Sequence, residues 1–497
     1  MAQVLNPQLY KAKSLCVIFR ETQINMKVKF ILIFLVYLSL SALGQSNNKL
    51  PSPTVDKRVE LLSIAFRLAE SEEYSSTDNA KYAKAVHSHF DKYKNHPLIK
   101  YIKQIRDSHG IGYDAVMSMA IHLNQVPSLD PIVPFNSDVP DKRWDAETSN
   151  KFVTLLKQFY KDTDCNSFFI SNSNRYLIAE KQFYELFKKL DIDWYYKYYG
   201  KSPSESFNII IGLGNGGNNF GPAVELPDGS RKVYAIIGAG SFDRTGTPVF
   251  PIDVHLPTLI HEFNHSFINY LTEMYKLPLR HSSEIIYENQ SVKMKRQKYG
   301  EWVTMISESM VRASVIRYLI EHASDTLTID KELKQQLANG FVWMKELVDF
   351  LGQFEAQRTT YPTLESFMPK IVSFYDTIAP RIKVYDNAYL EKCAKVISTL
   401  PFGNGYTTVS PSTREILFNF NKKLDGIRYF FGPEKDEKIS YPEPISVTFS
   451  NDNKTIIMKV KLKPNTDYQI NLYGSRMRTI DGYSVQNYSL NFRTSGK

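Results

Sequence analysis

The sequence predicts an α+β chain: a mainly helical part with a small β-sheet over residues 46–404, then an all-β sandwich over 405–497. Three observations predict it. Apolar residues recur at helical period from Val55 to about Ala120, over 147–199, and again beyond residue 256. Two β-branched runs bounded by glycine clusters stand near residues 207 and 232. From Glu415 onward the period changes to two, in short runs separated by turn residues.

Taken in order, residues 1–45 read as an N-terminal extension and signal peptide, with Met26 the expected initiator. Met26-Lys-Val-Lys-Phe-Ile-Leu-Ile-Phe-Leu35 has a basic start and an apolar core, and Ala42-Leu-Gly44 fits a cleavage site. That plan predicts a secreted or periplasmic protein with no stable membrane span after cleavage. A retained signal anchor is the alternative, since the apolar run is near the lower limit for spanning. After cleavage only Cys165 and Cys393 remain, enough for one disulfide but no disulfide framework. Residues 46–54 read as a flexible leader.

Composition sets the outer bounds. A chain of 497 residues, 43% apolar and 13% aromatic, can bury a large core in two or three domains. Of the net charge of +9, the first 45 residues supply five Lys or Arg against one Glu, which is +4 and leaves +5 for the rest. So modest an excess excludes a nucleic-acid groove, and no nucleic-acid partner is expected.

Val59-Glu-Leu-Leu-Ser-Ile-Ala-Phe-Arg-Leu68 opens the helical part, and residues 147–199 resume it with many aromatics. Phe207-Asn-Ile-Ile-Ile-Gly-Leu-Gly-Asn-Gly-Gly-Asn-Asn-Phe-Gly221 and Lys232-Val-Tyr-Ala-Ile-Ile-Gly-Ala-Gly240 then read as two strands joined by glycine-rich turns. The glycines do not form G-x-G-x-x-G followed by an amphipathic helix, so no dinucleotide or phosphate loop is expected.

His261-Glu262-Phe263-Asn264-His265 carries the chemistry. On a helix, residues four apart share a face one turn apart, so both imidazoles reach a single zinc ion. Glu262 then stands beside the open coordination position, where a carboxylate can deprotonate a zinc-bound water. Pro257 marks the expected helix start, and Leu259, Ile260, Phe263, Phe267, Ile268 and Leu271 form its buried stripe. His255 lies off the ligand face and reads as structural.

A third ligand must come from downstream. Glu284 follows His265 after eighteen intervening residues, but on a helix its neighbours Tyr287, Glu288, Ser291 and Lys295 describe a solvated face. Glu308 shares its face with Met305, Val311, Val315 and Leu319. A carboxylate there requires a compensating cation, which a metal supplies, and Arg312 one turn on can orient it. Glu308 is therefore the favoured ligand, with Glu284 and His281 as alternatives. Tyr287, Tyr299, His281 and Arg312 are the candidates for stabilising an oxyanion, and spacing does not choose among them.

Further helices extend to about Leu400, with Pro362, Pro369 and Pro380 as interruptions. Strands are expected at Glu415–Phe420, Ile445–Phe449, Thr455–Leu462, Asp467–Leu472 and Tyr488–Thr494, a sandwich of about 90 residues.

The ordered set of HExxH helix, intervening loop, Tyr299-Gly-Glu-Trp302 and Glu308-Ser-Met-Val-Arg-Ala313 resembles the gluzincin type of zinc peptidase. It resembles more closely a group of secreted bacterial proteins known as a domain of unknown function, over roughly residues 55–400. The resemblance implies a zincin-like fold, His261, His265 and Glu308 as zinc ligands, Glu262 as base, and a peptide or protein substrate. The chain lacks the Gly-x-Met-Glu-Asn type of exopeptidase motif, so aminopeptidase activity is not implied. Leu462-Lys-Pro-Asn-Thr-Asp-Tyr468, Asp481-Gly482 and Phe492-Arg-Thr494 resemble bacterial Ig-like domains, which act as spacers or binding modules. The expectation is a secreted zinc metallopeptidase. Its rival is a non-catalytic surface protein whose Ig-like domain contacts a glycan or protein, and a zinc hydrolase of non-peptide amides is a third reading.

Overall fold

A computed structural model describes residues 50–201, 205–322, 324–433, 439–442 and 444–496; the expected signal peptide lies outside them. The first helices are α1 (Lys57–Leu68), α2 (Ala80–Phe90), α3 (Pro97–His109), α4 (Asp114–Ile121), α5 (Ala146–Asp162), α6 (Cys165–Ser171), α7 (Ser173–Phe187) and α8 (Ile192–Tyr199). Short acceptor side chains start several of them: Asp56 takes the Arg58 N–H, Asn79 that of Tyr82, and Asp145 that of Thr148. The helical periodicity of residues 55–120 and 147–199 is thus realised.

A three-stranded sheet follows, with β1 (Glu205–Gly212), β2 (Ala223–Glu225) and β3 (Arg231–Gly238) in the order β1-β3-β2. β1 and β3 pair in parallel from Glu205↔Arg231 to Gly212↔Gly238. β2 lies antiparallel on the edge, pairing Ala223 with Val233 and Glu225 with Arg231. Only two strands were expected here, because three residues are too few to show a period of two. The glycine-rich segment leads into this edge strand and not into a helix, as the reading against a phosphate loop requires.

The remaining helices are α9 (Ile252–Met274), α10 (Lys276–Arg296), α11 (Trp302–Glu321), α12 (Thr326–Ala338), α13 (Met344–Ala356), α14 (Leu364–Ile378) and α15 (Ile382–Lys392). α9 begins at Ile252, ahead of the expected start at Pro257, and Pro369 lies inside α14 instead of interrupting it. Each proline is the sixth residue of its helix. The first four N–H groups of a helix have no intrahelical partner, so a proline this close to the start sacrifices little of the ladder.

α9 is the centre of the helical core. Leu259, Ile260, Phe263, Phe267, Ile268 and Leu271 are all buried, which is the expected stripe. Tyr199 of α8 stacks on Phe267 with centroids 4.3 Å apart, and Phe207 of β1 meets Phe263 at 4.5 Å. The buried Asn264 ties three helices together. It accepts from the Tyr199 hydroxyl at 2.9 Å and donates to the Val311 carbonyl of α11 at 3.2 Å.

The C-terminal part holds two four-stranded sheets around one apolar core. The strands are β4 (Val396–Leu400), β5 (Tyr406–Val409), β6 (Glu415–Phe420), β7 (Phe431–Gly432), β8 (Pro444–Phe449), β9 (Thr455–Val460), β10 (Asp467–Leu472) and β11 (Tyr488–Thr494). Their orders are β4-β6-β9-β8 and β5-β11-β10-β7. Ile416, Phe418, Phe420, Ile456, Met458 and Val460 point inward at alternate positions, which is why these strands were legible. β4 lies ahead of the boundary expected at residue 404, where helix was read. Its residues are mostly exposed and do not alternate, so they carry no strand signal. The Tyr468 hydroxyl accepts the Lys463 N–H at 2.8 Å, pinning the entry to β10.

The helical part and these sheets belong to one compact unit from Ser52 onward. Cys165 and Cys393 are buried free thiols and form no disulfide. Among the described residues no helix is long and apolar enough to cross a membrane.

Candidate metal centre

His261 and His265 stand one turn apart on α9, with their Nε2 atoms 3.1 Å apart. α11 lies against α9 and brings Glu308 to both of them. Its Oε2 is 3.6 Å from His261 Nε2 and its Oε1 3.5 Å from His265 Nε2. Met305, Val311, Val315 and Leu319 are buried, so apolar burial turns this face of α11 inward and carries Glu308 with it. The ligand atoms of the three residues lie within 4.8 Å of one another, a group that could hold a metal ion.

Neighbouring side chains fix the orientation of two members, Glu308 and His265. Arg312 donates from Nε to Glu308 Oε2 at 3.1 Å, from one terminal nitrogen to the Tyr299 hydroxyl at 2.7 Å, and from the other to Gln336 Oε1 at 2.8 Å. His265 places Nδ1 3.0 Å from Asn269 Oδ1, which also accepts from the Ser307 hydroxyl at 2.6 Å. With Nδ1–H donating to that oxygen, the lone pair of Nε2 is left facing the other ligands.

Electrostatics prepare the same arrangement. Burial holds His261 far below the usual histidine range, to about 3, against the pull of Glu308, so its imidazole is neutral and able to ligate. Burial alone would raise Glu308, but the facing His261 and Arg312, then His265, outweigh it and keep the carboxylate ionised. Glu262 shifts upward, chiefly by burial and with Glu308 adding to it, which makes its carboxylate a stronger base.

A cleft of about 520 Å³ opens over these residues. The three ligand candidates, Glu262 and Tyr299 line one side of it, and Asn219, Phe220 and Gly221 ahead of β2 line another. Gly221 approaches the base so closely that a Cβ there would lie 2.5 Å from Glu262 Oε2. A side chain here would push the Glu262 carboxylate from its place, which a sequence reading of the glycines as turn formers does not show.

Of the other sequence candidates, Glu284 is half-exposed on α10 and pairs with Arg280 at 2.8 Å, outside the group. His281 is exposed on the same helix and is not part of the cleft wall. Tyr287 uses its hydroxyl to hold the Tyr299 carbonyl at 3.1 Å, which leaves Tyr299 as the tyrosine in the cleft. His255 bonds the Pro251 carbonyl at 3.1 Å and has a structural place, as expected. Asn269 was missed. Its signal was available, since it stands four residues after His265 on the same helix face.

The fold and site together define an α+β protein with a His-His-Glu group in a cleft. Residues 53–374, more than half of the chain, match the family described as a domain of unknown function (DUF4932), and the chain belongs to that family. No curated protein matches it. Among solved structures it is similar to the S-layer protein rSbsC(31-844), at 11% identity over 80% of this chain and 46% of that one, with a TM-score of 0.17. Domains 1–6 of SbsC match at 12% identity over 80% and 46%, with a TM-score of 0.17. The N-terminal part of this bacterial S-layer protein matches at 11% over 80% and 79%, with a TM-score of 0.16. The chain thus spans less than half of the first two, and likenesses this slight carry no argument.

Proposed function

We propose that the chain is a zinc-dependent metallopeptidase of gluzincin type carrying an Ig-like module, exported through its N-terminal segment. The observation that carries the reading is the meeting of His261, His265 and Glu308 beside Glu262 in one cleft. Ligands about 2.1 Å from a tetrahedral zinc lie about 3.4 Å from one another. The two Nε2 atoms are 3.1 Å apart and lie 3.6 and 3.5 Å from the two separate oxygens of Glu308, close to that spacing, with one ligand atom from each residue within 4.8 Å of the others.

A zinc ion held there would polarise a carbonyl and acidify water. Glu262, with its pKa moved up by burial, takes the proton from the attacking water and returns it to the leaving amine. Tyr299 and Arg312 stand beside Glu308, and of the four oxyanion candidates Tyr299 is the one in the cleft wall. β2 offers an open edge next to that wall, where an extended peptide can add as a strand.

The Ig-like reading is supported by strand order. β4-β6-β9-β8 corresponds to the A-B-E-D sheet and β7-β10-β11 to C-F-G, and the Tyr468 bond to Lys463 resembles a tyrosine corner. That module is the place for a surface glycan or protein contact.

The experiment is zinc stoichiometry with peptide hydrolysis on residues 46–497, for wild type, Glu308→Ala, Glu284→Ala and Glu262→Gln. One zinc per chain, lost in Glu308→Ala and kept in the other two, with hydrolysis abolished in Glu262→Gln, is expected. Zinc lost only in Glu284→Ala moves the third ligand, and hydrolysis undiminished in Glu262→Gln overturns the mechanism.

A further inference from the structure

Glu60 is a fully buried carboxylate on α1 that none of the chemistry above uses. No Lys or Arg pairs with it among the described residues, and the nearby Asp56 is already matched by Arg58 at 2.6 Å. Such a group is costly unless hydrogen bonds compensate it. They do: Oε1 accepts the Leu213 N–H at 2.6 Å, the Gly214 N–H adds a second backbone bond, and Oε2 accepts from the Tyr82 hydroxyl at 2.6 Å.

These backbone donors open the glycine-rich segment between β1 and β2, and the rest of it is held residue by residue. Ser63, also on α1, donates to Asn215 Oδ1 at 2.6 Å. Asn218 donates to the Glu73 carbonyl at 2.9 Å, and Asn219 Oδ1 accepts the Gly238 N–H at 3.0 Å. Phe220 exchanges both backbone bonds with Ile236, at 3.0 and 2.8 Å. The segment lies so flat on β3 that a Cβ at Gly238 would be 2.3 Å from the Gly216 oxygen. It ends at Gly221, directly against the Glu262 carboxylate.

We propose that Glu60 is a positioning residue, which through the segment 213–221 sets the cleft wall at the depth that leaves Glu262 its place beside the metal ligands. The proposal rests on the peptidase reading for its catalytic consequence, and on geometry alone for the clamp. A buried leucine would satisfy the core without binding the loop amides, so the carboxylate is there for them.

The test compares wild type, Glu60→Leu, Glu60→Gln and Gly221→Ala by amide hydrogen exchange, zinc stoichiometry and the separate kcat and KM of hydrolysis. In Glu60→Leu, exchange over 213–221 accelerates about tenfold or more, as loss of buried hydrogen bonds requires, while the helices keep their protection. Zinc is retained and kcat falls. Glu60→Gln, whose amide oxygen accepts the same backbone bonds, keeps both the protection and most of kcat. Gly221→Ala keeps zinc and protection but loses kcat, because the base is displaced. Exchange in Glu60→Leu that is unchanged over 213–221, or accelerated evenly along the chain, overturns the clamp. Should that variant not fold, a Glu60→Gln without loop protection, or a Gly221→Ala with full kcat, overturns the proposal. A wild type without zinc or hydrolysis sinks the peptidase reading instead, and the exchange pattern still decides on the clamp.

Discussion

Arg312 and Glu308 meet one turn apart on α11, Nε to Oε2 at 3.1 Å, and the same guanidinium reaches Tyr299 at 2.7 Å and Gln336 at 2.8 Å. One planar group therefore fixes a ligand candidate, the tyrosine of the cleft and a link to α12. It is also the permanent positive charge that helps hold Glu308 ionised within an apolar face.

Arg312→Leu is expected to weaken zinc binding by about 10- to 100-fold, the usual cost of removing a partner that orients a ligand. Arg312→Lys restores little, since a single ammonium cannot span three acceptors. Chelator competition measures both, and an affinity unchanged in Arg312→Leu would show that Glu308 needs no orienting partner.

Asn269 stands to His265 as Arg312 stands to Glu308, with Oδ1 3.0 Å from Nδ1. Asn269→Leu removes that acceptor at nearly constant volume, and the imidazole then loses its fixed tautomer. Zinc affinity falls by about tenfold or more, while Asn269→Asp, which keeps the acceptor, retains it. Equal affinities in the two variants would mean that packing alone orients His265.

The contrast between α11 and β4 explains what the sequence made legible. Glu308 was recognisable because a charged residue on the face of Met305, Val311, Val315 and Leu319 demands a partner, a constraint carried by local spacing. The period-two strands β6, β9, β10 and β11 were recognisable for the same reason. β4 and the edge strand β2 exist through pairing with distant strands, and their own residues record little of it. Glu60 is the extreme case. Its partners Leu213 and Tyr82 are remote in sequence, so on α1 it reads as one more polar residue in a helix.

Asn264 is the fourth residue of the HExxH segment, the one that sequence reading leaves without a role, and its two bonds join α8, α9 and α11 in the buried core. Asn264→Ala takes the acceptor from the buried Tyr199 hydroxyl, while the Val311 carbonyl loses only its second donor and keeps its bond within the helix. The expected loss is about 1–3 kcal/mol, read as a lowered midpoint in urea unfolding of the zinc-free protein. A variant as stable as wild type would mean that the tyrosine finds another acceptor.

The buried carboxyl of Glu60 also gives the stability of the protein a pH dependence whose sign is fixed. Burial, partly offset by its hydrogen bonds from Tyr82 and the Leu213 and Gly214 amides, moves it from 4.5 up to about 7. Tyr82 and Tyr176 face it from α2 and α7, and Asp56 adds a like charge. In the folded chain it therefore holds its proton over a range where the unfolded chain has released it. That contribution is fully present below about pH 4.5, shrinks as pH rises, and is lost above about pH 7. Its full size is on the order of 3 kcal/mol. Glu60→Gln carries no charge to desolvate, so its stability relative to wild type should climb between those pH values and level off above them. Urea unfolding of the two proteins at a series of pH values measures the difference, and a difference that stays flat across the window would mean that Glu60 titrates as an exposed carboxylate does.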